Sequence, residues 1–248
     1  AMSRIHALQH SVGGALGVIE KWAVDRGHKV ACTSLYIPDY RFPDLEDFDW
    51  LVVLDGPLKI DDPMACVWVV QERELIQAAL KKNKVIIGVG MGAQIVASAM
   101  GARVKKCEHQ ETGYFPVEFT KEACDLFSGL PHGLTVMHAH TDMFDVPVGG
   151  IPLASSAACK NQGFVAKNRV LAMQFHLEWD EETMEKAIPA LTETITRGPF
   201  IQSVSSILKS SEIYAPEMAK VLFRLLDGLA TLANTAVPAI EGEEEVEC

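Results

Sequence analysis

The stretch KVIIGVGMGAQIVASAMGARV, residues 84–104, reads as a buried strand, a glycine-rich turn and a helix in immediate succession. Val85, Ile86, Ile87 and Val89 form the short β-branched run that a parallel strand needs when both its faces are covered. Gly88, Gly90 and Gly92 let the chain turn sharply, and Ile95, Val96, Ala99 and Met100 then recur at helical spacing until Gly101. A strand, a sharp turn and a helix in this order make a nucleophile elbow, whose apex residue holds a strained backbone conformation and projects its side chain into a cleft. The apex position here is Gly90, which has no side chain to project. A dinucleotide-binding loop fits poorly, because the spacing is not G-x-G-x-x-G and no acidic residue follows at the distance a ribose needs.

Upstream of the elbow, residues 5–10 read as the first strand, Gly13, Gly14 and Gly17 as the entry to a helix ending near Gly27, and 29–36 as the second strand. A proline- and acid-rich surface loop over 38–49 leads to WLVVL (50–54), a fully apolar third strand that ends in Asp55-Gly56-Pro57. Apolar positions from Trp68 to Leu80 approximate helical spacing and supply a crossover into the elbow strand. Strands alternating with helices predict an α/β fold with a doubly wound, mostly parallel sheet. Beyond Gly101 the strand candidates 114–119, 134–138, 153–156, 164–167 and 170–176 lie too close together for a helix between each pair, which predicts hairpins and an additional antiparallel part. Asp180, Glu181 and Glu182 suit the start of a helix running to Arg197 with a disturbance at Pro189. Pro216 is placed to open the last helix, whose Met218, Leu222, Leu225, Leu226, Leu229 and Leu232 share a face. The expected organisation is one domain over 1–197, a helical extension packed on it over 198–240 and an acidic disordered tail over 241–248.

A chain of 248 residues with 48% hydrophobic and 22% charged residues can bury a full core. Its formal charge of -11 argues against nucleic acid or an anionic membrane as partner. Its six cysteines form no C-x-x-C pair, so free thiols in a reducing, cytoplasmic setting are expected. No apolar run approaches the ~20 residues of a membrane span.

Gln174-Phe175-His176-Leu177-Glu178 closes an apolar strand. Alternation in an extended chain places His176 and Glu178 on one side, where the carboxylate can fix the imidazole tautomer and stabilise its protonated form. These segments together carry a resemblance. GVGMGAQ (88–94) is similar to the G-x-C-x-G-x-Q elbow of class I glutamine amidotransferases, and QFHLE (174–178) resembles their Q-F-H-x-E segment. LDGP (54–57) is similar to their G-G-P loop with Asp55 in place of the first glycine. ETGY (111–114) followed by Pro116-Val117, and HAHTD (138–142), resemble the E-x-G-W/Y and H-W-H-G-D segments of the stand-alone, GMP-synthase-like branch, with Ala139 and Thr141 departing from the aromatic and the glycine usual there.

The resemblance covers about Ile5 to Trp179 and implies a flavodoxin-like fold, hydrolysis of the γ-amide of glutamine or a related γ-glutamyl amide by a Cys-His-Glu triad, no cofactor, and a synthetase as partner. It assigns the nucleophile position to Gly90, where the cysteine is absent, the base to His176 and its orientation to Glu178. It assigns the oxyanion donors to the backbone N–H groups of Gly56 and Met91, and it places Gln94 and His140 at the substrate. The chain as written is therefore expected to be inactive on glutamine, either as a substituted enzyme or as a pseudoenzyme that senses a ligand or binds a partner. A cysteine at position 90 is expected to complete the set. His138, His140 and Asp142 alternate as H-x-H-x-D and compete as metal ligands, but no further ligand is obvious and no metal is expected. Cys107, after Lys105 and Lys106, is a displaced-nucleophile candidate without the elbow's geometry.

Overall fold

Apolar runs that are buried on both faces pair in parallel at the centre of the computed structural model, which describes residues 2–57 and 66–235. The elements in chain order are β1 (Arg4–Gln9), α1 (Val18–Asp25), β2 (Lys29–Ser34), β3 (Trp50–Val53), α2 (Cys66–Lys81), β4 (Val85–Val89), α3 (Met91–Ala99), β5 (Val104–Phe119), α4 (Lys121–Leu126), β6 (Gly133–Phe144), β7 (Ile151–Pro152), β8 (Ala154–Ser156), β9 (Gly163–Ala166), β10 (Val170–Met173), α5 (Glu181–Thr194) and α6 (Val204–Ala233). A seven-stranded sheet has the order β2-β1-β3-β4-β10-β9-β7, and a three-stranded sheet has the order β6-β5-β8. The pairs from β2 through β10 are parallel, whereas β10 with β9, β9 with β7 and the small sheet are antiparallel. The fold is thus the α/β, mostly parallel, flavodoxin-like arrangement with an antiparallel part.

Strand alternation divides the interior into two cores. Trp50, Val52, Leu54, Val85, Ile87 and Val89 face a core shared with α1, α5 and α6, while Leu51, Val53 and Ile86 face one shared with α2 and α3. Both faces of the sheet are therefore covered, and the carboxyl ends of β3, β4 and β10 converge on one edge where the chain turns into loops.

Several expectations need correction. β5 and β6 are far longer than 114–119 and 134–138, because Lys105, Lys106 and Glu108 add a polar arm that continues the ladder without an apolar pattern; the register shifts between Lys106 and Glu111. The strand expected over 153–156 is β8 in the small sheet, and a short strand not expected, β7, precedes it in the large one. β10 stops at Met173, since residues 174–179 leave the sheet to form the site. The last helix does not open at Pro216. It starts after Ser203, whose hydroxyl accepts from Ser206 N–H, and carries Pro216 in its interior. Burial of Ile207 before the proline and of Met218, Val221, Leu222 and Leu225 after it offsets the lost backbone bond. α6 packs on the core face of α1, where Trp22 Nε1 donates to Asp227 at 2.8 Å and Arg26 pairs with the same carboxylate at 2.7 Å. The tail expected over 241–248 lies outside the described residues. Among the described residues, no helix is long and apolar enough to cross a membrane.

Candidate active site

β4 delivers the chain to Gly90, which has φ 56° and ψ -121°, and α3 begins at the next residue. A non-glycine residue at such a positive φ is strained by its Cβ, a strain that glycine avoids. The Gly90 N–H donates to the Met173 carbonyl at 2.9 Å, and the Gly90 carbonyl accepts from Ala93 N–H at 3.1 Å. The elbow is thereby pinned to β10 on one side and to its own helix on the other.

The space in front of Gly90 is filled by Asp55 from the carboxyl end of β3. A Cβ built at position 90 would overlap the Asp55 carboxylate, lying 2.6 Å from its Cγ and 3.0 Å from its Cβ. Asp55 Oδ1 accepts the Met91 N–H at 2.8 Å, the donor expected to serve an oxyanion. A carboxylate is favoured there, because the first N–H groups of a helix lack intrahelical acceptors and the helix dipole is positive at that end. A cysteine at position 90 would complete the set only with a shift of the Asp55 side chain out of this overlap. The strand register accounts for the meeting: β3 and β4 pair with Val53 beside Gly88, and the same register continued by two residues sets Asp55 beside Gly90. Two of the departures from the amidotransferase motifs, Asp55 and Gly90, thus fall at positions that touch.

On the other side of Asp55 stands His176. Its Nδ1 bonds to Glu178 Oε1 at 2.7 Å, and Glu178 Oε2 accepts the Leu177 N–H at 3.1 Å. The His176 backbone N–H is tied to the Met137 carbonyl of β6 at 2.8 Å, and the Trp179 ring lies against the imidazole with centroids 4.5 Å apart. The ring is fully buried, and its Nε2 has no hydrogen-bond partner, lying 3.6 Å from Asp55 Oδ2. Burial favours the neutral imidazole, but the charge and hydrogen bond of Glu178 together with the charge of Asp55 outweigh it, so the His176 pKa is raised.

Asp55 opens on a cavity of about 290 Å³ that is also lined by Gly56, Met91, Gln94, His140 and Trp179 among others, with His176 buried behind Asp55. Gln94 Nε2 donates to Gln174 Oε1 at 3.2 Å, while Gln174 Nε2 and Trp179 Nε1 have no partner.

The structure places the H-x-H-x-D segment differently from its expected use. His138 and His140 gather with Glu111, not with Asp142, and their ligand atoms lie within 4.8 Å of one another. The Glu111 carboxylate and both imidazoles already have partners, and Gln162 Oε1 is left without one. Glu111 Oε1 accepts from Ser156 Oγ at 2.8 Å, its Oε2 accepts from Gln162 Nε2 at 2.6 Å and pairs with His140 Nε2 at 3.1 Å, and His138 Nε2 meets the Phe115 carbonyl at 3.3 Å. Burial drives the His138 pKa down to about 3. Burial pushes the Glu111 pKa up, but the His140 hydrogen bond and the neighbouring imidazoles turn the net shift downward. Cys107 lies on β5, 3.7 Å from His140 Nδ1 and 3.9 Å from Cys159 Sγ. The Cys159 contact and burial raise its pKa, the opposite of what a displaced nucleophile requires.

The family model for glutamine amidotransferase class-I matches residues 17–192. The glutamine amidotransferase-like protein YfeJ of Salmonella typhimurium is 28% identical over 237 residues, covering 94% of this chain and 99% of that protein. One glutamine-hydrolyzing GMP synthase component, from Thermoplasma acidophilum, is 33% identical over 152 residues, covering 59% of this chain and 71% of that protein. A glutamine amidotransferase structure from Thermotoga maritima, 24% identical, shares the fold with a TM-score of 0.82 over 95% of this chain and 100% of that one. The chain belongs to the class-I glutamine amidotransferase family.

Proposed function

We propose that this member of the family no longer hydrolyses glutamine, and that its site has been rebuilt around Asp55 as a ligand pocket. The observation that carries the reading is the position of one side chain: the Asp55 carboxylate overlaps the volume of a side chain at position 90 and accepts the Met91 N–H. Amide hydrolysis in this family's manner needs a thiolate in that volume and a free donor for the tetrahedral oxyanion. Both requirements fail together. A single substitution introduced into an otherwise working site would have left glycine at position 55 and an empty space. A matched pair of changes instead favours a pseudoenzyme with respect to glutamine, serving as a ligand sensor or a partner-binding component. Met91, Gln94, Gly56 and His140 are proposed to contact the ligand, with glutamine or a γ-glutamyl amide the first compounds to try. Because the Thermoplasma relative is named as part of a GMP synthase, a synthetase-type protein is the class of partner we infer.

The test is glutamate release from glutamine by four proteins. The unaltered protein, Gly90→Cys and Asp55→Gly are expected to be silent, the second because the thiol collides with Asp55 and the third because no nucleophile is present. The double variant D55G/G90C is expected to gain activity, since His176, Glu178 and the backbone donors remain in place. Glutamate release by the unaltered protein, or by Gly90→Cys at the level of the double variant, overturns the reading.

A further inference from the structure

Losing a thiol does not leave the site without a nucleophile, because a carboxylate can itself attack and be regenerated. The geometry points to Asp55 as the nucleophile of a different hydrolysis, in which it displaces a leaving group from a saturated carbon of a small substrate and the resulting ester is cleaved by water activated at His176. This rests on the reading that Asp55 has replaced the thiol.

Such chemistry needs a carboxylate with its two oxygens in different settings. One oxygen must sit against a fixed donor, because it becomes the oxyanion when water adds to the ester carbon; Asp55 Oδ1 is bonded to Met91 N–H at 2.8 Å. The other must face a cavity and a base; Asp55 Oδ2 lies 3.6 Å from His176 Nε2, Asp55 lines the 290 Å³ cavity, and its side chain is 19% exposed. The base must be held as the correct tautomer by a carboxylate on its far nitrogen, which Glu178 does at 2.7 Å. The base nitrogen must be free to take a proton from water that enters beside Asp55; His176 Nε2 is buried, has no hydrogen-bond partner and lies 3.6 Å from Asp55 Oδ2. A leaving anion or alkoxide needs donors, and the unpartnered Gln174 Nε2 and Trp179 Nε1 belong to residues that line the same cavity.

The steps balance. Asp55 Oδ2 forms a bond to the substrate carbon as the carbon–halogen bond, or the carbon–oxygen bond of an epoxide, breaks and its electron pair departs with the halide or alkoxide. Water then gives a proton to His176 Nε2 while its oxygen adds to Asp55 Cγ, and the charge on Oδ1 is held by Met91 N–H. Collapse breaks the bond between Cγ and the esterified oxygen, the departing alkoxide takes the proton from His176, and the Asp55 carboxylic acid, carrying one oxygen from water, gives its remaining proton to solvent alongside the halide, or to the alkoxide released by epoxide opening, which restores the carboxylate. The net reaction is an alkyl halide plus water to an alcohol and acid, or an epoxide plus water to a diol, with no oxidant or reductant.

Two measurements test this with bromobutane and butylene oxide as probes. The His176→Asn variant can form the ester but not activate water, so after digestion its Asp55 peptide is expected to carry a butyl or hydroxybutyl group that is missing at this position in Asp55→Asn. The unaltered protein turning over either probe in water enriched in heavy oxygen is expected to acquire that isotope in the Asp55 carboxylate, a readout that does not depend on any variant folding. Modification confined to cysteines, with no adduct on Asp55 from either probe and no isotope in its peptide, overturns the proposal. That result would leave the reading of the site as inactive on glutamine standing, whereas glutamate release by the unaltered protein would remove both.

Discussion

Two buried carboxylate–imidazole groups lie close together in this molecule and behave in opposite ways. Glu111 with His138 and His140 is closed: its carboxylate accepts from Ser156 and Gln162 and meets His140, and His138 finds a backbone carbonyl. Glu178 with His176 is open: the carboxylate serves one imidazole nitrogen, and the other nitrogen faces Asp55 without a bond. Composition does not separate them, since both are Glu and His with almost no exposed surface. Saturation does. A buried cluster whose carboxylate oxygens and imidazoles all find partners fixes the packing of the small sheet, while an unfilled position beside a carboxylate that lines a cavity is where a ligand or a reacting proton can be accommodated. The closed cluster is also the one whose atoms lie near enough to hold a metal, so proximity of ligand atoms is a poorer guide to a site than their availability.

The comparison is broken most forcefully at Glu111. Glu111→Ala removes the acceptor for the Ser156 and Gln162 donors and the partner of His140, and is expected to cost about 3–5 kcal/mol of stability, read by urea unfolding. A loss no larger than that of a surface substitution would mean that the cluster does not hold the small sheet. Glu178→Gln keeps the shape of the open pair and removes only its charge, so a smaller loss of about 1–3 kcal/mol is expected by the same measurement. Finding the two losses reversed in size would invert the assignment of scaffold and site.

A finer test is pH. His176 has a raised folded pKa, so its contribution to stability is fully present below the unfolded value of about 6.5 and is lost as pH rises through the folded value. His138 has the opposite sign. With a folded pKa of about 3, it stays neutral in the folded chain while the unfolded chain takes up a proton, so stability falls as pH drops below the unfolded value towards about 3. Unfolding measured from acid to mild alkali should therefore lose a component on the alkaline side in His176→Gln and keep its acid-side decline. An unchanged alkaline limb in that variant would show that Glu178 does not hold a proton on His176.

The parallel half of the molecule was legible in the chain because Val85, Ile86 and Ile87, or Leu51, Val52 and Val53, are buried on both faces, and burial of that kind leaves an uninterrupted apolar run. The β5–β6 arm was not, since Lys105, Lys106 and Glu108 carry the polar side chains that a loop would also carry. Pro216 misled for a different reason. The rule that proline starts helices is local, and here burial on both sides of the proline overrides it. At the site, the spacing of His176 and Glu178 was sufficient to foresee a pair, since two residues apart on one segment is a short-range relation. The meeting of Asp55 with Gly90 was not foreseen, because it depends on the register between neighbouring strands and on where one side chain points. Taken one at a time, those two departures carry no sign that they touch.

The overlap at Gly90 also fixes the order in which this site can change over generations. Between the amidotransferase pair, glycine at 55 with cysteine at 90, and the present pair, two single-step intermediates exist. Aspartate with cysteine requires the Asp55 side chain to shift, whereas glycine at both positions is open and has no nucleophile. A lineage that avoids that clash passes through the intermediate without a nucleophile, and on the proposed reading a return to glutamine hydrolysis then begins with a step that selection for that activity cannot reward. The carboxylate in front of Gly90 is in this sense a ratchet, and a chain that has acquired it is held to whatever use Asp55 now has.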